Sequence, residues 1–344
     1  MTEGEIKKVL QGAVGDGLLI IVGCGLSKAE GLPAMPDLAV HLLGTIPKAV
    51  PPDLSSEWAA VANALNGGTD LESALLAAPP SEGLREAIVE AAASCIRTAE
   101  ETVIAEMLQN RRQLRFASLL PHLLPSASGT TIVTTNYDRL LEVACEASGL
   151  AVDSMFVGHS MARLNRKESR FSLCRGIQQK RKTVALTYAQ HVRVLKPHGS
   201  LDWYMIDGHP VRCPFSLSCA PMIIPPGGTK YRDGYDQPFD AHREQANSEV
   251  DKAARYLIVG YGFNDDHLQT HLDRNLRDGK ECLLLTYSLT DRSKELLPQY
   301  PKTWAIYAAD DDQDCAVLRF PDGSEHRFSE ALWSIETFVK EVLT

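Results

Sequence analysis

Seven short apolar runs constrain the fold of this chain more than any other feature. They are Leu18–Val22 (LLIIV), Thr131–Thr134 (TIVT), Val192–Leu195 (VRVL), Met222–Ile224 (MII), Tyr256–Val259 (YLIV), Cys282–Thr286 (CLLLT) and Trp304–Tyr307 (WAIY). Several are rich in β-branched residues and lack polar alternation, the pattern of strands buried on both faces of a parallel sheet. A long helical block separates the first two. Its segments SSEWAAVANALNGG and LREAIVEAAASCIRTAEETVIAEMLQNRRQL carry apolar residues at three- and four-residue spacing. Asp70 reads as an N-cap with Ser73 in the first turn, and Pro79 and Pro80 stop that helix. The predicted fold class is α/β, a Rossmann-like parallel sheet with a large helical insertion. The expected organisation is a single domain over 1–344, with the helical insertion at 36–125, a small basic insertion at 151–190 and a C-terminal helix at 325–344.

Composition narrows the function classes. The chain has 344 residues and a formal net charge of -9, so nucleic-acid binding over the whole surface is not expected. The basic stretch from Arg163 to Lys182 is either a solvated face or a contact for a nucleotide phosphate, an acidic partner or nucleic acid. The N-terminus lacks an apolar run behind a basic start, and no stretch approaches the roughly 20 apolar residues that span a bilayer. A cytoplasmic protein without a membrane partner is expected. None of the eight cysteines forms a C-x-x-C pair, and reduced thiols are expected.

Four polar clusters follow apolar runs. Gly23-Cys24-Gly25-Leu26-Ser27, with Gly31-Leu32-Pro33 beyond, suits either close backbone approach to a pyrophosphate or a tight strand–loop turn. Thr134-Thr135-Asn136-Tyr137-Asp138 places an amide with both donor and acceptor where ligands bind in open α/β sheets. Asp138 reads as the cap of the following helix. Lys196-Pro197-His198-Gly199-Ser200 offers a histidine that is either structural or a general base. Gly260-Tyr261-Gly262-Phe263-Asn264-Asp265 repeats the glycine-and-polar pattern, and the helix beyond it carries His267 and His271. That pair lacks the glutamate of H-E-x-x-H and reads as an ordinary helix face, so no metal site is assigned.

In this order, from about Gly17 to Ser288, the four clusters resemble the sirtuin superfamily, and in particular the sirtuin-like domains of bacterial antiphage effectors. Gly23-x-Gly25-x-Ser27 with Gly31-x-Pro33 matches the family's first phosphate loop. The segment through Thr135, Asn136 and Asp138 matches the Thr-x-Asn-x-Asp motif, whose asparagine is catalytic, and His198-Gly199 matches the catalytic His-Gly. Gly260-Tyr261-Gly262-Phe263 with Asp265 is similar to the bacterial ribose-binding strand end, and Ser288 would fall near the adenosine. The resemblance therefore implies Asn136 and His198 as catalytic residues. It implies Gly23, Cys24, Gly25, Ser27, Pro33, Thr135, Asp138, Gly260, Tyr261, Gly262, Phe263, Asp265 and Ser288 as contacts to NAD.

Sirtuin deacylases carry two C-x-x-C pairs for a structural zinc between the His-Gly motif and the later glycine loop. Here Leu201 to Tyr256 holds only Cys213 and Cys219, so no zinc ribbon is expected. Ala34-Met35-Pro36-Asp37 also replaces the Asp-Phe-Arg that follows the phosphate loop in those enzymes. The resemblance implies an NAD⁺ glycohydrolase that releases nicotinamide and ADP-ribose and depletes NAD in antiphage defence. A protein deacylase, or a non-catalytic module sensing NAD or ADP-ribose, is the alternative. Little chain follows the sirtuin-like region, so control is expected from homo-oligomerisation or a separate partner, and the resemblance implies a co-encoded sensor such as a hexameric ATPase of the DNA-translocase type. Nucleic acid is expected only through the basic segment or such a partner.

Overall fold

The computed structural model describes residues 1–123, 129–181, 183–225 and 237–344, leaving aside the side chains of residues 180, 266 and 267. The strands are β1 (Leu18–Val22), β2 (Thr130–Thr134), β3 (Ala151–Asp153), β4 (Phe156–Val157), β5 (Ala162–Leu164), β6 (Cys174–Lys180), β7 (Thr183–Tyr188), β8 (His191–Leu195), β9 (Trp203–Ile206), β10 (His209–Arg212), β11 (Arg255–Val259), β12 (Glu281–Leu285), β13 (Thr303–Ala308), β14 (Ala316–Arg319) and β15 (Glu325–Phe328). Nine of them form one sheet in the order β15-β14-β13-β12-β11-β1-β2-β8-β3. The seven from β13 to β3 run parallel, and β14 and β15 close one edge antiparallel.

Two apolar layers explain the uninterrupted character of the runs. Ile20 and Val22 of β1 face one core with Ile132, Leu257 and Leu283, while Leu19 and Ile21 face the other with Val133, Ile258 and Leu284. Alternate side chains point to opposite faces, and both faces are covered. The first layer is the helical insertion: Met35–Ala49, Pro52–Asn66, Leu71–Ala77 and Glu82–Leu108 contribute Leu42, Ile46, Trp58, Leu75 and Ile88 to it. Asp70 caps Leu71–Ala77, its Oδ1 accepting the Ser73 N–H at 2.9 Å. The second layer is made by helices Phe239–Lys252 and Asp266–Arg277, through Ala246, Val250, Leu268, Leu272 and Leu276.

Several boundaries differ from the sequence expectation. Ala151–Asp153, at the start of the basic insertion, pairs with β8 and extends the main sheet. The rest of that insertion carries a small antiparallel sheet, β4-β5-β10-β9, and the ribbon β6-β7. Lys182 lies outside the described residues. Met222–Ile224 makes only a bridge between Ile223 and Gly199, because the proline that follows Ile224 and the one before Met222 cannot donate to a ladder. At the C-terminus, Glu325–Phe328 pairs with β14, and the helix begins at Ile335.

Candidate active site

The strand order reverses direction at β1. The chain leaves β1 to build β2, β8 and β3 on one side and returns to build β11 to β15 on the other. Ligands in open α/β sheets bind outside the carboxyl ends of strands at such a switch point. A cleft of about 740 Å³ opens there, a volume that suits a nucleotide-sized ligand. Cys24, Gly25, Ser27 and Pro33 line it after β1, Thr135, Asn136 and Asp138 after β2, and His198 after β8. Gly260, Tyr261, Gly262 and Asp265 follow β11, and Ser288 follows β12. Gly23 lies behind this surface. Phe263 is 1% exposed and packs against Tyr261 and Tyr300 in the second core layer, so its side chain stays out of the cleft.

The glycines bring two loops into backbone contact. Gly23 N–H donates to Val259 O and Gly25 N–H to Gly260 O, each at 2.9 Å. A Cβ on Gly23 would sit 2.5 Å from Gly260 O, and one on Gly25 would sit 2.7 Å from Gly260 Cα. Gly260 itself has φ of 60°, a left-handed conformation that favours glycine. The loops after β1 and β11 thus form one floor.

Asn136 is tied to that floor. Its Nδ2 donates to Gly23 O at 2.9 Å and to Ser27 Oγ at 2.8 Å. Ser27 Oγ in turn donates to Asp138 Oδ2 at 2.6 Å, and Asp138 Oδ1 accepts the Leu140 N–H at 3.1 Å. Burial pushes the Asp138 carboxyl above its ordinary range, against the opposing Lys196 charge and Ser27 hydroxyl. With both amide protons committed, the carboxamide is fixed in one orientation. Its Oδ1 is buried and has no hydrogen-bond partner among the described residues.

Lys196 stitches the β2 and β8 loops together. Its buried ammonium donates to the Tyr137 and Asp138 carbonyls and pairs with Glu142 Oε1 at 3.1 Å. The Tyr137 hydroxyl donates to Ile224 O at 2.5 Å. His198 follows Lys196 and Pro197, and its Nε2 lies 2.6 Å from Asp265 Oδ2. Both side chains are nearly buried, at 11% and 6% exposure.

Residues outside the four motifs complete the site. Arg139 is bound through its backbone N–H and guanidinium by Glu100 of the long insertion helix Glu82–Leu108. Arg115, Tyr287 and Trp333 add to the cleft wall. No motif announces them, because each is placed by tertiary packing. Among the described residues no group of three or more histidine, cysteine, aspartate or glutamate side chains could hold a metal ion. Cys213 is buried and Cys219 exposed. His271 Nδ1 lies 3.0 Å from Asp251 Oδ2, and the His267 side chain falls outside the described residues.

Polar loops converging on a switch-point cleft define an α/β protein with a candidate ligand site at the carboxyl edge of its sheet. The chain belongs to the SIR2-like domain family, whose match covers residues 130–309. Similar solved structures include a sirtuin studied for substrate affinity, at 14% identity, covering 86% of this chain and 91% of that one, with a TM-score of 0.39. Another is Sir2 bound to an acetylated peptide, at 13% identity, covering 86% and 90%, with a TM-score of 0.36. No curated protein matches the chain in sequence. No helix among the described residues is long and apolar enough to cross a membrane.

Proposed function

We propose that the cleft binds NAD⁺ and hydrolyses its nicotinamide–ribose bond. The observation that carries this reading is the buried Oδ1 of Asn136, without a hydrogen-bond partner among the described residues and held in place by two hydrogen bonds that the Asn136 amide donates, beside a cleft that His198 also lines. Buried acceptors in native proteins are nearly always satisfied, so one left open in a cleft is reserved for a ligand donor. A ribose hydroxyl or a water molecule fits that role.

In this reading the bond from ribose C1′ to the pyridinium nitrogen breaks, and its electron pair neutralises the departing nicotinamide. The ribosyl centre gains oxocarbenium character. The oxygen of a water molecule bonds to C1′, and its proton passes to His198, directly or through a ribose hydroxyl. General-base assistance of this kind is worth about 10²–10⁴-fold. Asn136 Oδ1 orients the ribose or the water. Ser27 and Asp138 fix the asparagine loop, and the segments around Gly25, Gly262 and Ser288 hold the dinucleotide. Products are nicotinamide, ADP-ribose and a proton.

Membership of the SIR2-like family supports NAD as the substrate. The lack of paired C-x-x-C motifs in the sequence supports hydrolysis over removal of acyl groups from lysine. We assign the biological role to NAD depletion in antiphage defence, held in check by self-assembly or by a separate ATPase. Turnover without any peptide acceptor tests the chemistry: nicotinamide and ADP-ribose are expected in equal amounts. Nicotinamide release that requires an acetylated peptide would replace this reading with deacylation.

A further inference from the structure

We infer that Asp265 is a positioning residue that holds His198 through Nε2 and leaves Nδ1 as the nitrogen available to take a proton. This inference rests on the reading of His198 as general base. It departs from the sequence expectation that Asp265 contacts the ribose.

Four observations carry it. The Nε2-to-Oδ2 separation is 2.6 Å, which brings a carboxylate against one ring nitrogen. Both groups are almost fully shielded from water, so the electrostatic contact between them is weakly screened. Asp265 is itself immobilised, because its other oxygen, Oδ1, accepts the Leu268 N–H at 3.0 Å at the start of helix Asp266–Arg277. The backbone on the far side is anchored too, since Ile224 N–H donates to His198 O at 3.0 Å. A carboxylate facing one imidazole nitrogen favours the tautomer with its proton there, so the lone pair falls on the other nitrogen. The carboxylate also stabilises the imidazolium formed when the base accepts a proton. Asp265 therefore acts on the reaction without touching the substrate.

Asp265→Asn separates this role from a structural one. Asparagine keeps the Oδ1 acceptor that caps the helix, and removes only the charge facing His198. In the full-length protein we expect Asp265→Asn to lower kcat for nicotinamide release about 10- to 100-fold, with KM for NAD⁺ within about twofold. The double variant with His198→Ala should be no slower than His198→Ala alone, because the two groups act as a unit. A loss confined to KM, unchanged kcat, or losses that multiply in the double variant would each overturn the inference. His198→Ala alone with full turnover would instead overturn the general-base reading. Nitrogen NMR of ¹⁵N-histidine-labelled protein reads the tautomer independently of turnover. His198 should carry its proton on Nε2 in the wild type and shift toward Nδ1 in Asp265→Asn. A wild-type ring protonated on Nδ1, or a ring unchanged by the substitution, would contradict the proposal.

Discussion

Glu100, fully buried on the long insertion helix, accepts the backbone N–H of Arg139 and binds its guanidinium, with Nε to Oε2 at 3.0 Å. Burial opposes the charge on Arg139, but the Glu100 carboxylate outweighs it and holds the guanidinium above its ordinary value. One turn earlier, Arg97 Nη2 donates to Leu201 O at 3.0 Å and to the Tyr204 hydroxyl at 3.1 Å. A single helix face thus holds the loop after Asn136 and the loop after His198. Removing one partner of a buried pair strands the other charge, at a cost of about 3–5 kcal/mol. Glu100→Ala should therefore lower unfolding free energy by that amount in urea titrations, and an unchanged midpoint would contradict the assignment.

His242 makes stability depend on pH in a stated direction. Its Nδ1 accepts the Lys196 N–H at 3.1 Å, and its ring stacks 4.5 Å from Trp203. Burial, with the Lys196 and Arg166 charges, holds its pKa down to about 3 from an ordinary 6.5. Between those values the unfolded chain binds a proton that the native protein does not. Stability contributed by neutral His242 is present above pH 6.5 and is lost as pH falls toward 3. The slope attributable to this residue approaches about 1.4 kcal/mol per pH unit in the middle of the window. His242→Asn, which keeps an acceptor for Lys196, should flatten the measured dependence there. An identical slope in wild type and variant would refute the point.

Ser27 sits between two groups that both need it. Ser27→Ala leaves Asp138 Oδ2 without the hydroxyl proton and Asn136 Nδ2 without one of its acceptors. Leaving such buried groups unsatisfied costs about 1–3 kcal/mol. The asparagine loop should loosen, so kcat should fall along with thermal stability. Calorimetry and steady-state turnover on the same preparation check both, and a variant with wild-type values for each would show that Ser27 is dispensable.

Gly25→Ala tests a packing requirement that is independent of ligand. The added Cβ would meet the Gly260 backbone at 2.7–2.9 Å, where no flexible side chain can yield. Overpacking of this kind costs about 1–3 kcal/mol. The variant should be destabilised in the absence of NAD⁺. Native stability with weakened ligand binding alone would return Gly25 to a purely phosphate-binding role.

The parallel strands are legible because each is short, apolar and covered on both faces, as in β1 and β11. β14 and β15 are not, since Arg319, Glu325 and Arg327 alternate with buried residues on an edge that is partly solvated. The position of the motif residues at strand ends is legible because glycines and polar groups at the close of a buried run have few other uses. What each one does there was less legible. Gly23 and Gly25 serve backbone contact with Gly260, and the side chain of Phe263, at φ 61°, turns into the core. The contact between His198 and Asp265 joins loops after β8 and β11, and no local pattern encodes a meeting between distant strands. Glu100 reads in sequence as one more acidic residue on an Ala- and Glu-rich helix; only packing distinguishes it.

The most direct test of the central claim is nicotinamide release from NAD⁺ without any peptide acceptor, by the purified protein alone and together with the ATPase partner proposed above. Wild type should release nicotinamide and ADP-ribose in equal amounts, while folded Asn136→Ala and His198→Ala should lose at least about 100-fold in rate. Full turnover in both variants, or none in the wild type under these conditions, would contradict the account.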